Sequence, residues 1–246
     1  MRENIGLKVQ DLPGGAHQEE AVQPGTLYII STPIGNLGDI TLRAIRTLQA
    51  VDLIAAEDTR HSRKLLQHYQ IEKPLVSFHD FNKTRQTPMI IRKLLANQSV
   101  GLISDAGTPG ISDPGFYLIR EALKQGIPVQ AIPGVTALIP ALILSGLPAH
   151  HFVFEGFPPA KKGRRTFFER LKDEKRTVIL YESPHRLTKT LNDILNNWGD
   201  RNIAVARELT KKFEEVLRGR VSEILEKLAG RAVKGEIVLV VEGKTD

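Results

Sequence analysis

The sequence predicts an α/β protein built as two α/β/α domains, and three observations carry that expectation. From Thr26 onward, short runs rich in Val, Ile and Leu alternate with longer amphipathic stretches. The runs are nearly continuous in apolar residues, the mark of strands covered on both faces. They also fall into two series, on either side of a break at Ser145, Gly146, Leu147 and Pro148.

Residues 1–24 read as a flexible N-terminal tail, with turn chemistry at 11–15, a polar stretch around 18–20 and no sustained apolar face. The first domain, 25–148, carries strand-like runs at 27–31, 51–56, 75–78, 100–104 and 129–132. The second, 149–246, carries them at 152–154, 178–181, 203–206 and 237–241. Between them, Phe116, Ile119 and Leu123 recur at helical spacing, as do Leu187, Leu191, Ile194 and Trp198. Asp113 before Pro114, and Ser183 before Pro184, each offer an N-cap followed by a proline suited to the first helical position.

Composition narrows the chemistry. Of 246 residues, 41% are hydrophobic and 25% charged, the profile of an ordinary soluble globular protein. No apolar run approaches the roughly 20 residues that span a bilayer, and the N-terminus lacks a signal-peptide pattern. The expectation is a cytoplasmic protein with no membrane contact. The chain has no cysteine, which excludes disulfides, cysteine-ligated zinc, iron–sulfur clusters and a cysteine nucleophile. It also lacks a clustered metal motif such as H-E-x-x-H, so no metal is expected. Net charge is +6, a balance that favours polyanionic partners such as RNA.

Three first-domain segments place glycine, proline and small polar residues directly after a buried strand: 31–39, 104–115 and 132–137. In an open α/β sheet the ligand crevice lies at the carboxyl ends of the strands. Glycine lets backbone approach a ligand and proline stiffens the loop around it. One such loop is a turn; three together point to a binding site. The ligand is not a dinucleotide or a nucleoside triphosphate held by the usual glycine motifs, since neither G-x-G-x-x-G after a strand nor G-x-x-x-x-G-K-[ST] occurs. Asp105 sits at a strand end among backbone donors, which suits an adenosyl ligand with an amino-acid tail without singling it out.

The strings that carry a resemblance are STPIGNLGD at 31–39, EDTR at 57–60, FHD at 78–80 with Asn82, and SDAGTPGISDPG at 104–115. It continues through Pro133 and Gly134, SGLP at 145–148, FEGFP at 154–158, YESPHR at 181–186, ARELTK at 206–211, and Gly235 with Glu236. From about residue 25 to the end, the chain resembles the tetrapyrrole methylase superfamily. The match is nearest to the branch that methylates the ribose 2′-hydroxyl of a cytidine in small-subunit (16S) ribosomal RNA. Three departures stand out: Val135 and Thr136 replace the usual proline and small residue, Lys83 follows Asn82 where an acid is expected, and the tail extends beyond the usual start.

The resemblance implies S-adenosylmethionine as cofactor, bound between the two domains, and a homodimer. It implies a pocket lined by Pro33, Ser104, Asp105, Ala106, Gly107, Thr108, Thr136, Ala137, Tyr181 and Ala206. The substrate would be small-subunit ribosomal RNA, free or in the assembled subunit. A ribose hydroxyl is a poor acid, so a base or cation should assist. Asp58, Arg60 and His79 are candidates near strand ends: Asp58 as proton acceptor, Arg60 as phosphate holder, His79 as either. The competing reading is that Asp58 or Thr59 caps the following helix and Arg60 pairs with a neighbouring acid. Lys161, Lys162, Arg164 and Arg165 place four cations within five residues without an interleaved acid, a candidate RNA-binding cluster weighed against a solvated face. Two rival functions remain: a relative acting on a tetrapyrrole or a modified protein side chain, and a non-catalytic RNA-binding assembly protein.

Overall fold

The computed structural model describes residues 21–245; most of the expected tail, residues 1–20, lies outside them. The first sheet is made of β1 (Leu27–Ile30), β2 (Leu53–Ala56), β3 (Leu75–Ser77), β4 (Val100–Ile103) and β5 (Val129–Ile132). All neighbours are parallel, in the order β3-β2-β4-β1-β5. Parallel strands need crossovers, and helices supply them on both faces. Helices α1 (Leu42–Ala50) and α2 (Thr59–His68) cover one face through Ala44, Leu48, Leu65 and Leu66. Helices α3 (Lys83–Leu95) and α4 (Gly115–Lys124) cover the other through Ile90, Leu94, Leu118 and Ala122. Adjacent strands β1 and β4 therefore send their chains to opposite faces, which opens a crevice between their carboxyl ends.

The second sheet holds β6 (Phe152–Phe154), β7 (Thr177–Glu182), β8 (Asn202–Arg207), β9 (Glu215–Arg220) and β10 (Ile237–Val241), in the order β6-β7-β10-β8-β9. Only β6 and β7 pair in parallel; the other pairings are antiparallel. Its outer face packs on α6 (Arg164–Leu171), α7 (Leu187–Trp198) and α8 (Val221–Leu228). Its inner face packs on α5 (Leu138–Ser145) and on Ile34 from the first domain.

Several expectations change here. Gly146, at the expected break, ends α5 with a φ of 73°. Yet α5 buries Leu138, Ala141 and Leu142 against Ile179, Ala204 and Val240 of the second sheet. By packing, the passage between layers lies before α5, within residues 133–137. The ninth strand, β9, was not visible as an apolar run because it is an edge strand carrying Glu215, Arg218 and Arg220, the charges that keep edges from pairing further. In α4 the inward face is Leu118 and Ala122, while Phe116 and Leu123 are exposed. Helix α4 starts at Gly115, with Pro114 rather than Asp113 at its N-cap; the Asp113 carboxylate just before it accepts the N–H groups of Gly115 at 2.7 Å and Gly110 at 2.8 Å. Helix α7 starts later than Pro184, after a turn in which Arg186 N–H donates to the Ser183 carbonyl. Among the described residues no helix is long and apolar enough to cross a membrane.

Candidate active site

A cavity of about 450 Å³ lies between the two layers, at the carboxyl ends of β1 and β4. That is the size range of small-ligand sites. Three loops knit its first-domain wall. Thr32 and Gly107 exchange backbone hydrogen bonds at 2.9 and 3.0 Å. The Thr32 hydroxyl donates to the Ser104 carbonyl at 3.0 Å, and the Thr108 hydroxyl to the Val135 carbonyl at 3.1 Å. Ser31 and Thr108 hydroxyls meet at 2.9 Å. Gly107 holds a φ of +87° in the middle of this mesh, a conformation that disfavours any side chain.

The far wall comes from the second sheet. Tyr181 and Ala206 stand on antiparallel neighbours of β10, and Val238 of β10 lies between them in register. The Tyr181 ring packs edge-on against Phe154 and Phe157, with centroids 4.9 and 5.6 Å apart. Burial pushes its phenol pKa up, so it stays protonated at neutral pH. The loop after β8 closes the cleft against the loop after β1, where the stem of Lys211 occupies the space a side chain at Gly35 would need.

Carboxyl groups give the cavity its electrostatic character. Glu57, Asp105 and Asp113 all line it. Burial, then the negative charges of Asp105 and Asp113, push the Glu57 pKa up. Burial also raises Asp113, against the pull of two backbone N–H donors. The Asp105 carboxylate accepts the Asp58 N–H at 2.9 Å. Like charges crowded in a partly dry space favour a cationic ligand. Among the described residues, no cluster of three or more His, Asp or Glu side chains is arranged to hold a metal ion.

Ser104, Asp105, Ala106, Gly107, Thr108, Thr136, Ala137, Tyr181 and Ala206 all line this cavity, so the structure brings together the residues that the resemblance implied. Pro33 is the exception: it is buried beside the cavity, and its neighbour Ile34 forms the wall.

The three catalytic candidates are placed differently. Asp58, Arg60 and His79 do not line the cavity. The Asp58 carboxylate caps α2 by accepting the Arg60 N–H at 2.8 Å, and the Arg60 guanidinium lies 3.4 Å away. Those hydrogen bonds hold its pKa below the usual carboxylate value, which makes it a poor base. Arg60 is 89% exposed. His79 has one ring nitrogen, Nε2, 3.2 Å from the Asn82 amide, while Nδ1 is buried without a partner.

The basic cluster also divides. Lys161 and Lys162 are exposed, and Arg165 is exposed beside Glu169 at 3.1 Å. Arg164 is only 6% exposed and turns inward. It pairs with Asp193 at 2.7 Å, donates to the Thr190 hydroxyl at 2.7 Å, and stacks on Phe168. It cannot touch RNA from there.

Sequence reasoning missed Glu57, Ser112, Asp113 and Glu182 as cavity residues. A signal existed for Glu57, which directly follows the last residue of β2 in the same string as Asp58. The same kind of signal existed for Glu182, which follows Tyr181 in the string YESPHR at 181–186.

Comparison with known proteins fits this geometry. A family model for tetrapyrrole (corrin/porphyrin) methylases matches residues 26–225. The chain belongs to the tetrapyrrole methylase family. Among curated relatives, this family member is 51% identical over 220 residues to the ribosomal RNA small subunit methyltransferase I of Halalkalibacterium halodurans, covering 89% of this chain and 76% of that one. It is 49% identical over 231 residues to the protein of that name from Escherichia coli O157:H7, covering 92% and 81%. Solved structures share its fold. A diphthine synthase superposes with a TM-score of 0.70 at 14% identity, covering 89% of this chain and 90% of that one. A uroporphyrin-III C-methyl transferase from Thermus thermophilus, complexed with S-adenyl homocysteine, superposes with a TM-score of 0.62 at 21% identity, covering 88% and 97%.

Proposed function

We propose that this methylase transfers a methyl group from S-adenosylmethionine to the ribose 2′-hydroxyl of a cytidine in small-subunit ribosomal RNA. The observation that carries the proposal is identity at about half of all positions, over nine-tenths of the chain, with relatives named for that ribosomal RNA. The cavity fits the cofactor. Ile34, Tyr181, Ala206 and Val238 offer apolar walls for a flat base, and backbone groups of residues 104–108 offer polar contacts for a ribose. Asp105 and Asp113 offer negative charge for a sulfonium and an ammonium.

When bound, the cofactor supplies a methyl group already activated on sulfur. The chain's own residues orient the acceptor, exclude water and handle its proton. Glu57 replaces Asp58 as the proposed proton acceptor. It lines the cavity, and its raised pKa keeps it more basic than an ordinary glutamate. Phe157, half-exposed at the rim against Tyr181, screens the site from solvent. Lys161 and Lys162 lie on the adjoining loop and would take RNA phosphates.

A homodimer acting in the cytoplasm completes the proposal. Helix α5 presents Ile139, Ile143 and Leu144 outward, an apolar strip that a second copy would cover. Equilibrium sedimentation tests it. The function itself is tested by incubating the protein and labelled cofactor with small subunits from cells lacking it, then mapping ribose methylation. One labelled cytidine is expected. Label on a base, or on protein alone, would refute the proposal.

A further inference from the structure

Loop 155–163 runs from the cavity to the exposed lysines. Phe157 lines the cavity at one end, and Lys161 and Lys162 stand at the other. Between them lie Pro158 and Pro159, which have no N–H and can only accept hydrogen bonds. Two arginines supply the donors. Arg186 donates through Nη1 to the Pro158 carbonyl at 3.1 Å, and Arg164 through Nη1 to the Pro159 carbonyl at 3.0 Å.

Both arginines are tied to one carboxylate. Arg186 Nη2 lies 2.9 Å from Glu182 Oε1. Arg164 Nη2 donates to the Thr190 hydroxyl at 2.7 Å, and that hydroxyl donates to Glu182 Oε2. The Glu182 side chain has no exposure, and it sits at the end of β7 in the cavity wall. Asp193, 2.7 Å from Arg164, balances the second positive charge. Two cations and two anions thus form a neutral, largely buried set that ties the loop to the cavity wall and to α7.

We infer that Glu182 and Thr190 are positioning residues. Acting through Arg164 and Arg186, they fix the Phe157–Lys162 segment at a set distance from the cavity. The phosphate grip and the reacting hydroxyl are thereby held in register. This rests on the RNA-methylation reading for its consequence, but not for its geometry. Stability alone does not require the arrangement, since buried ion pairs are often matched by apolar packing. What the charged set provides, and apolar packing would not, is directional donors for two proline carbonyls.

The test compares Thr190→Val, which deletes the linking hydroxyl, with Thr190→Ser, which keeps it. Two measurements run side by side below the melting temperature of each variant. Limited trypsin digestion with mass spectrometry reads cleavage after Lys161 and Lys162 and needs no RNA. Filter binding of small-subunit RNA at several salt concentrations, with kcat and KM, reads the consequence. For Thr190→Val, cleavage in the loop accelerates and kcat/KM for RNA falls roughly tenfold to a hundredfold. The slope of log affinity against log salt loses up to about 1.4, at about 0.7 for each of two lysines on single-stranded RNA. Affinity for S-adenosylhomocysteine stays at the wild-type value, and Thr190→Ser behaves as wild type in every assay. A Thr190→Val protein that melts earlier yet keeps wild-type loop cleavage and salt slope overturns the inference and leaves a purely structural network. Faster loop cleavage in Thr190→Val, beside a wild-type protein that binds neither the free RNA nor small subunits, refutes the RNA reading and leaves the positioning geometry standing. If Thr190→Val does not fold, Arg186→Gln, which cuts the partly exposed spoke to Pro158, is read in the same way.

Discussion

Replacing Arg164 by alanine, beside a separate Lys161→Ala/Lys162→Ala double variant, distinguishes a folding residue from a substrate-gripping one within a single basic run. Arg164 is buried, and its removal leaves the Asp193 carboxylate and the Pro159 carbonyl without its hydrogen bonds and deprives the Thr190 hydroxyl of its donor. Breaking a buried pair from one side costs about 3–5 kcal/mol. Asp193 keeps a side-chain exposure of 29% and so recovers some solvation, which puts the expected loss near the lower end, at about 3 kcal/mol. For a chain of this length that lowers the melting temperature by about 6–12 °C. The lysine pair makes no comparable contacts, so the double variant should melt with the wild type and bind RNA with a salt slope smaller by up to about 1.4. Calorimetric melting and salt-dependent filter binding decide between them. An Arg164→Ala protein with wild-type stability, or a double-lysine variant with an unchanged slope, would falsify this division of the cluster.

Other outcomes follow from the cavity. Glu57→Gln should slow methyl transfer at saturating RNA and remove the acid limb of the pH–rate profile; retention of that limb would assign it to another group. The raised pKa of Glu57 means that its stabilising contribution is complete below the ordinary value of 4.5 and is lost as pH rises through the higher folded value. Glu57→Gln should therefore melt later than wild type at neutral pH when no ligand is bound, and an earlier melt contradicts the stated cause. Gly107→Ala should cost about 1–2 kcal/mol, because an L-residue must take a φ of +87°. It should also weaken S-adenosylhomocysteine in titration calorimetry, and wild-type affinity would remove this loop from the site. Asp58→Ala should lose stability through its helix cap while sparing the rate of the folded fraction; a collapse in rate at full folding would restore Asp58 as a base.

The sequence by itself determined the layering. Near-continuous apolar runs can satisfy their surroundings only when covered on both faces, and glycine and proline after three of them marked where a ligand enters. Those are local properties, since strand burial and loop stiffness are set by neighbouring residues. Phe116 and Leu123 show the limit: their spacing is helical, yet the inward face of α4 is Leu118 and Ala122, because periodicity gives a stripe without saying which stripe meets a sheet. Only the tertiary structure could assign α5 to the second sheet, since its apolar residues would suit either layer and the choice depends on what lies across the chain. It alone turned Arg164 inward among cations that look alike in sequence, through acceptors 26 and 29 positions away at Thr190 and Asp193. It alone set Glu57 in the cavity and Asp58 on a helix cap. Consecutive residues leaving a strand point in different directions, and a charge takes its chemistry from the groups that surround it.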